Sequence, residues 1–331
     1  MKRDTRPVTG WKKIRYRFEV FAAKLLIKII CCFSRRTVRR IGRFLGGIAY
    51  RFAGEARRVA LENLDIAFGN TKTRAEKERI ARASFESGVA TLLGLFWMPR
   101  LNKDNFQQYI EVDPETVKRV QEIRARGLGV MFITLHYGDW ELLGQASAYY
   151  GVPVTTVTEQ MRNLALREVV DGLREHSGNT MVQQRFATMR LFKALKRGEG
   201  VAMLVDLNGI PRFGGAWSDF FGLPVFNNTT AALLALRTGA VVIGGVGYPL
   251  PDGRCRFAYG QEITYTVTGD EEADIKLLTQ KCSDYCETVV RETPEFWLWS
   301  YKRWKFRPHA EQGRYPSYSR HLPNRKTGSE R

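Results

Sequence analysis

The stretch Leu128-Gly129-Val130-Met131-Phe132-Ile133-Thr134-Leu135-His136-Tyr137-Gly138-Asp139-Trp140-Glu141 decides the fold. Its first eight residues are a continuous apolar run, the pattern of a strand buried on both faces. His136 ends the run. A helix is predicted to follow through Leu142, Leu143, Ala146 and Tyr149 and to stop at Gly151. The same alternation continues downstream. Val152 to Val157 reads as a strand, Arg162 to His176 as a charged helix ended by Gly178, and Met181 to Gln184 as a short strand. Thr188 to Lys196 reads as a helix closed by Gly198, and Gly200 to Asp206 as another buried strand.

Beyond a loop, Thr229 to Thr238 is predicted to be a helix capped by Asn228 or Thr229 and stopped by Gly239. Ala240 to Tyr248 reads as a buried strand with a hairpin partner, Cys255 to Ile263, across Pro251-Asp252-Gly253. Ile275 to Arg291 reads as a long helix. Alternating strands and helices predict an α/β fold with a mainly parallel or mixed sheet flanked by helices. In such sheets ligands sit beyond the carboxyl ends of the strands.

Upstream the composition changes. Residues 1–58 hold 17 Lys or Arg against 3 Asp or Glu, a net +14, and the remaining 273 residues carry +4 of the total +18. Phe18 to Phe33 is the most apolar stretch, but it falls short of the roughly 20 apolar residues that span a bilayer, and Lys24 and Lys28 interrupt it. Thr37 to Phe52 puts Val38, Ile41, Leu45, Ile48 and Phe52 on one side, with Arg39, Arg40, Arg43 and Arg51 elsewhere. Two basic amphipathic helices in tandem read as an interfacial membrane anchor on anionic lipid, expected at the cytoplasmic face. The division expected is an anchor over 1–58, a catalytic domain over 59–308 and a flexible tail over 309–331. No helix-turn-helix, zinc knuckle or aromatic RNA-binding signature appears, so nucleic acid is not the expected partner. Five cysteines, with no C-x-x-C pair, argue against a disulfide framework. Neither a metal site nor a cofactor motif can be assembled from the scattered histidines and glycines.

His136 stands at the end of a buried strand, and Glu141 falls in the first turns of the next helix. The turn between them, eased by Gly138, can fold the carboxylate back to the imidazole. A carboxylate on one ring nitrogen fixes the tautomer and leaves the other as base. Asp139 is a second candidate carboxylate, equally suited to cap or charge-match the helix N-terminus. By itself the spacing is a weak signal.

Six stretches in order strengthen it: Glu62 to Phe68, His136 to Glu141, Arg162-Asn163, Gly200 to Asp206, Phe220 to Pro224 followed by Thr229 to Ala240, and Pro294 to Lys305. Together they resemble the late acyltransferases of bacterial lipid A biosynthesis, within the wider H-x4-D/E glycerolipid acyltransferase superfamily. The resemblance covers about residues 60–308. It implies transfer of an acyl chain from acyl carrier protein to a hydroxyl of a lipid A precursor, with His136 as general base and Glu141 supporting the imidazolium. Arg162 is the candidate for an acceptor phosphate, because a guanidinium matches phosphate oxygens in pairs. Asp206 and Arg303 are further candidate substrate contacts: Asp206 to orient a neighbouring donor, and Arg303, among Trp297, Trp299 and Trp304, in a segment that suits either a membrane interface or a packed C-terminal helix. Phe213 to Pro224 reads as an apolar loop, either the wall of an acyl groove or a core-docking segment. Other acceptors, such as another glycolipid or a lysophospholipid, suit the same dyad. A basic membrane- or nucleic-acid-binding protein without activity is the alternative of a different class.

Overall fold

In a computed structural model the chain is described over residues 10–184, 187–310 and 314–322. Ten α-helices are present there: α1 Gly10–Cys31, α2 Arg35–Phe52, α3 Gly54–Phe68, α4 Arg74–Leu95, α5 Pro114–Ala125, α6 Trp140–Tyr149, α7 Leu164–Glu175, α8 Ala187–Lys196, α9 Thr230–Thr238 and α10 Glu271–Glu292. The strands are β1 Ile110–Val112, β2 Val130–Thr134, β3 Val154–Thr158, β4 Thr180–Gln183, β5 Gly200–Leu204, β6 Ala216–Phe220, β7 Leu223–Asn227, β8 Val241–Pro249, β9 Cys255–Glu262, β10 Phe306–Arg307 and β11 Arg320–His321.

Seven strands form one sheet in the order β1-β9-β8-β2-β5-β3-β4. β8, β2, β5, β3 and β4 run parallel to their neighbours, and β9 returns antiparallel against β8. The sheet is covered on both faces, which is why its central strands are apolar throughout. Met131 and Ile133 of β2 pack into one core with Leu191 of α8, Leu234 of α9 and Val289 of α10. Val130 and Phe132, pointing the other way, pack with Val120 and Ile123 of α5. Capping set the helix starts. Asn163 accepts from Leu166 N at 3.2 Å to open α7. Asp270 accepts from the backbone of Glu272 and Ala273, so α10 starts a turn earlier than its apolar pattern implies.

Three predicted segments take other forms. Phe213 to Pro224 is not one loop: most of it belongs to a β6–β7 hairpin. The turn is Phe221-Gly222, with φ of 53° and 71°. Two consecutive left-handed residues match the twist of a tight hairpin, but a phenylalanine there carries none of the usual turn signal. Phe220 and Phe221 at its tip are buried in the core, while Phe213 at its start is exposed. The C-terminal aromatics are also interior. Trp297, Trp299 and Trp304 are buried, and only a short 3-10 turn, Pro294–Phe296, precedes them where a helix was an option. Asn63, in the middle of α3, donates to Trp299 O and Tyr301 O at 2.8 Å each and so pins this segment. Part of the predicted tail is docked as well. Ser317 N bonds Glu62 at 2.8 Å, and β11 pairs with β10; residues 311–313 and 323–331 lie outside the described residues.

Among the described residues no helix is long and apolar enough to cross a membrane. α1 instead exposes Trp11, Ile14, Phe18, Phe21 and Leu25, spaced along one side, and α2 exposes Phe44 and Phe52.

Candidate active site

The site follows from strand register. β2 and β5 are adjacent and parallel, and their last paired residues are Thr134 and Leu204. His136 and Asp206 each stand two residues further on, so the crest of the sheet brings them side by side. His136 Nδ1 lies 2.9 Å from Asp206 Oδ1, and the backbone N–H of His136 donates to Asp206 Oδ2 at 3.0 Å. Trp297 Nε1 donates to the same Oδ2 at 3.0 Å. The carboxylate is therefore fixed by three N–H groups, and the ring tautomer follows: Nδ1 carries the proton toward Asp206, and Nε2 is left as the basic nitrogen. The ring packs edge-on against Trp140, with 5.6 Å between centroids.

The charges reinforce one another. Burial favours the neutral imidazole, but the Asp206 charge and hydrogen bond, with Glu141 adding, outweigh it and hold the His136 pKa above its ordinary value. Burial would raise the Asp206 carboxyl, yet the His136 charge and the bonds from His136 and Trp297 keep it below the usual range. The imidazole is not sealed off: 23% of its side chain is accessible.

The turn after His136 is held from several sides. Gly138 has φ of 55°, and a Cβ there would meet Gly247 O at 1.9 Å, so both the bend and the close approach require glycine. Gly138 N donates to Phe296 O at 2.9 Å, Asp139 N to Gly247 O at 3.0 Å, and Leu298 N to His136 O at 3.2 Å. Thr91 Oγ1 donates to Gly138 O at 2.6 Å.

Of the other predicted residues, Glu141 and Arg303 are placed differently from expectation. Glu141 does not bond the imidazole. Arg174, in the last turn of α7, takes both its oxygens, Nε to Oε2 at 2.9 Å and Nη2 to Oε1 at 2.6 Å. Two parallel N–H groups suit a carboxylate better than one ring nitrogen does, and Nδ1 is already claimed by Asp206. Glu141 therefore reaches His136 through its field alone. Arg162 is exposed just before α7, and the arginine joined to the motif is Arg174 at the other end of that helix. Asp206, expected among the substrate contacts, is instead the partner of the histidine. Arg303 is 1% exposed, too deep for a substrate contact. Its Nη2 donates to Asn227 Oδ1 at 2.6 Å, its guanidinium lies 5.2 Å from the Phe220 ring, and its positive charge interacts with buried Asp206. The aromatic packing that drew attention to Arg303 is what encloses it. Asp139 makes no cap bond to α6 and pairs instead with Arg35 and Arg39 of α2. Among the described residues no group of histidine, cysteine and carboxylate side chains could hold a metal ion.

Residues 11–306 match the model of the family described as bacterial lipid A biosynthesis acyltransferase. Among curated proteins, the chain is 22% identical over 285 residues to the lipid A biosynthesis lauroyltransferase of Escherichia coli (strain K12), covering 84% of this chain and 88% of that one. It is 22% identical over 284 residues to lipid A biosynthesis acyltransferase 2 of Shigella flexneri, covering 86% and 87%. It is 23% identical over 281 residues to the lipid A biosynthesis palmitoleoyltransferase of Escherichia coli (strain K12), covering 83% and 87%.

Proposed function

The chain belongs to the bacterial lipid A biosynthesis acyltransferase family and is an acyl-transferring enzyme; from that premise we propose that it moves a fatty acyl chain from acyl carrier protein to a hydroxyl of a lipid A precursor, with His136 as the general base. The observation that carries this reading is the His136–Asp206 pair at the carboxyl ends of adjacent parallel strands, with an accessible ring. Nε2 takes the proton of the acceptor hydroxyl as its oxygen attacks the thioester carbonyl. The C–O bond forms and the C–S bond breaks. The thiolate leaves and recovers the proton from Nε2. Asp206 stabilises the transient imidazolium, and Glu141, one turn away and neutralised by Arg174, adds to that field. The chain contains no G-x-S-x-G, which favours direct transfer over an acyl-serine intermediate. The relatives named for lauroyl and palmitoleoyl transfer support a long-chain acyl group and a lipid A acceptor.

His136→Ala is expected to lower kcat for acyl transfer to a lipid A precursor by roughly 10²–10⁴-fold, with the fold kept by circular dichroism. Full activity in a folded His136→Ala protein would sink the reading. Activity lost on lipid A precursor in the wild-type chain but present on a lysophospholipid would redirect only the acceptor.

The exposed apolar side of α1 and the basic N-terminal region support peripheral attachment to anionic lipid at the cytoplasmic face of the inner membrane. Phe18→Glu with Phe21→Glu is expected to weaken co-sedimentation with phosphatidylglycerol vesicles. Undiminished binding would remove α1 from the contact.

A further inference from the structure

Two basic residues of α2 are withdrawn from solvent. Arg35 is 2% exposed and Arg39 8%. Both bond the same oxygen of Asp139, Arg39 through Nη1 at 3.0 Å and Arg35 through Nη2. Arg35 also donates Nε to Gly253 O at 3.0 Å and lies 5.3 Å from the Trp97 ring. Burying charges is costly unless each is paired, so this arrangement must hold its geometry closely.

Asp139 occupies the place from which an aspartate ordinarily caps a helix, accepting from the first free N–H groups. Here the carboxylate makes no cap bond to α6 and turns toward α2. It is also the residue between His136 and Glu141 whose side chain ties the turn to the N-terminal region. α2 in turn is seated closely on α4. A Cβ on Gly42 would lie 2.4 Å from Ala90 Cα, and one on Gly46 would lie 2.5 Å from Glu86 Cα. The helix that carries the two arginines is thus fixed in height and rotation against the body of the protein.

We propose that Arg35 and Arg39 are positioning residues for acyl transfer: through Asp139 they fix the turn that presents His136 to Asp206 and starts α6. On this view α2 has two uses, an outer side with Phe44 and Phe52 and an inner side that is part of the catalytic framework. The proposal rests on the assignment of His136 as the base. A misplacement of about 1 Å near reacting atoms can cost on the order of 10²-fold in rate, so loss of the tie is expected to appear in kcat.

The test uses full-length protein, with kcat and KM measured beside amide hydrogen exchange over residues 136–141. Asp139→Asn is expected to lower kcat by roughly 10- to 100-fold, to change KM little, and to speed exchange in the turn. Arg39→Gln should do the same to a lesser degree, and Arg39→Lys should recover most of the loss. The Asp139→Asn, Arg39→Gln double variant should be no slower than Asp139→Asn, because both remove one tie. Where Asp139→Asn fails to fold, the Arg39→Gln and Arg39→Lys pair decides. Unchanged kcat in a folded Asp139→Asn or Arg39→Gln protein overturns the proposal. So does a loss that tracks only the folded fraction. Full activity in His136→Ala would instead overturn the base assignment, and the exchange result would still report on the tie.

Discussion

The two carboxylates beside His136 are held in opposite ways. Asp206, past the end of β5, is buried and receives three N–H groups, from the His136 ring, the His136 backbone and Trp297. Glu141, on the first turn of α6, gives both oxygens to Arg174, whose side chain is partly open to solvent. Asp206 is distant in sequence and adjacent through the sheet, and Glu141 is adjacent in sequence and turned away. The difference shows how a strand-end site is built. Parallel register supplies the rigid partner of the imidazole, and the following helix supplies a second charge that a neighbouring helix can capture. Buried Arg303 adds a positive charge that interacts with Asp206, whereas the cation paired with Glu141, Arg174, is partly open to solvent.

The largest test of this contrast is Asp206→Asn. An amide accepts through only one of its two ends: with its oxygen at Nδ1 it turns N–H groups toward the His136 backbone and Trp297 donors, and with its N–H at Nδ1 it holds the ring in the tautomer that leaves Nε2 protonated and unable to act as base. Loss of imidazolium support is expected to lower kcat/KM by roughly 10²–10⁴-fold. The pH profile adds a sign. In the proposed role His136 must be neutral, and its pKa is held above the ordinary value by Asp206 against burial. Activity in the wild type therefore falls as pH drops through that raised pKa. With Asp206 neutralised, burial dominates and favours the neutral ring, so the acid limb should move to lower pH even as the plateau falls. A pH series of kcat/KM checks both. A plateau near wild type would show that the strand-end pair is not the working one.

Much of this was legible in the chain. The strands of the sheet centre, β2, β5 and β8, were readable because burial on both faces makes them uninterrupted apolar runs. His136 was readable as the polar end of such a run, and Gly138 as the bend after it. The partner was not, because pairing between strands is a property of topology: only when β2 and β5 are known to be neighbours does the offset from Thr134 and Leu204 put His136 against Asp206. The signal was present in both runs ending on a polar residue. Arg303 misled because interleaved aromatics and cations look alike at a membrane surface and in a core. Arg35 and Arg39 were hidden for a related reason. In a helix rich in arginine, composition does not say which of them turns inward to a carboxylate. The hairpin at Phe221-Gly222 was missed because a left-handed phenylalanine breaks the usual turn preference.

The finer test concerns Glu141 and Arg174. If Glu141 supported the ring by direct contact, Glu141→Gln would match Asp206→Asn in both rate and pH shift. With both oxygens on Arg174, a smaller outcome is expected. The Glu141 charge raises the His136 pKa less than Asp206 does, so the acid limb should move down only slightly. The rate loss should arise mainly from freeing the partly exposed Arg174 guanidinium. Glu141→Gln and Arg174→Gln should then be coupled, the double variant losing less than the sum of the single losses by about 0.5–3 kcal/mol in transition-state free energy. Strict additivity would mean that the two act separately, and a Glu141→Gln loss equal to that of Asp206→Asn would restore the helix carboxylate as the direct partner of the base.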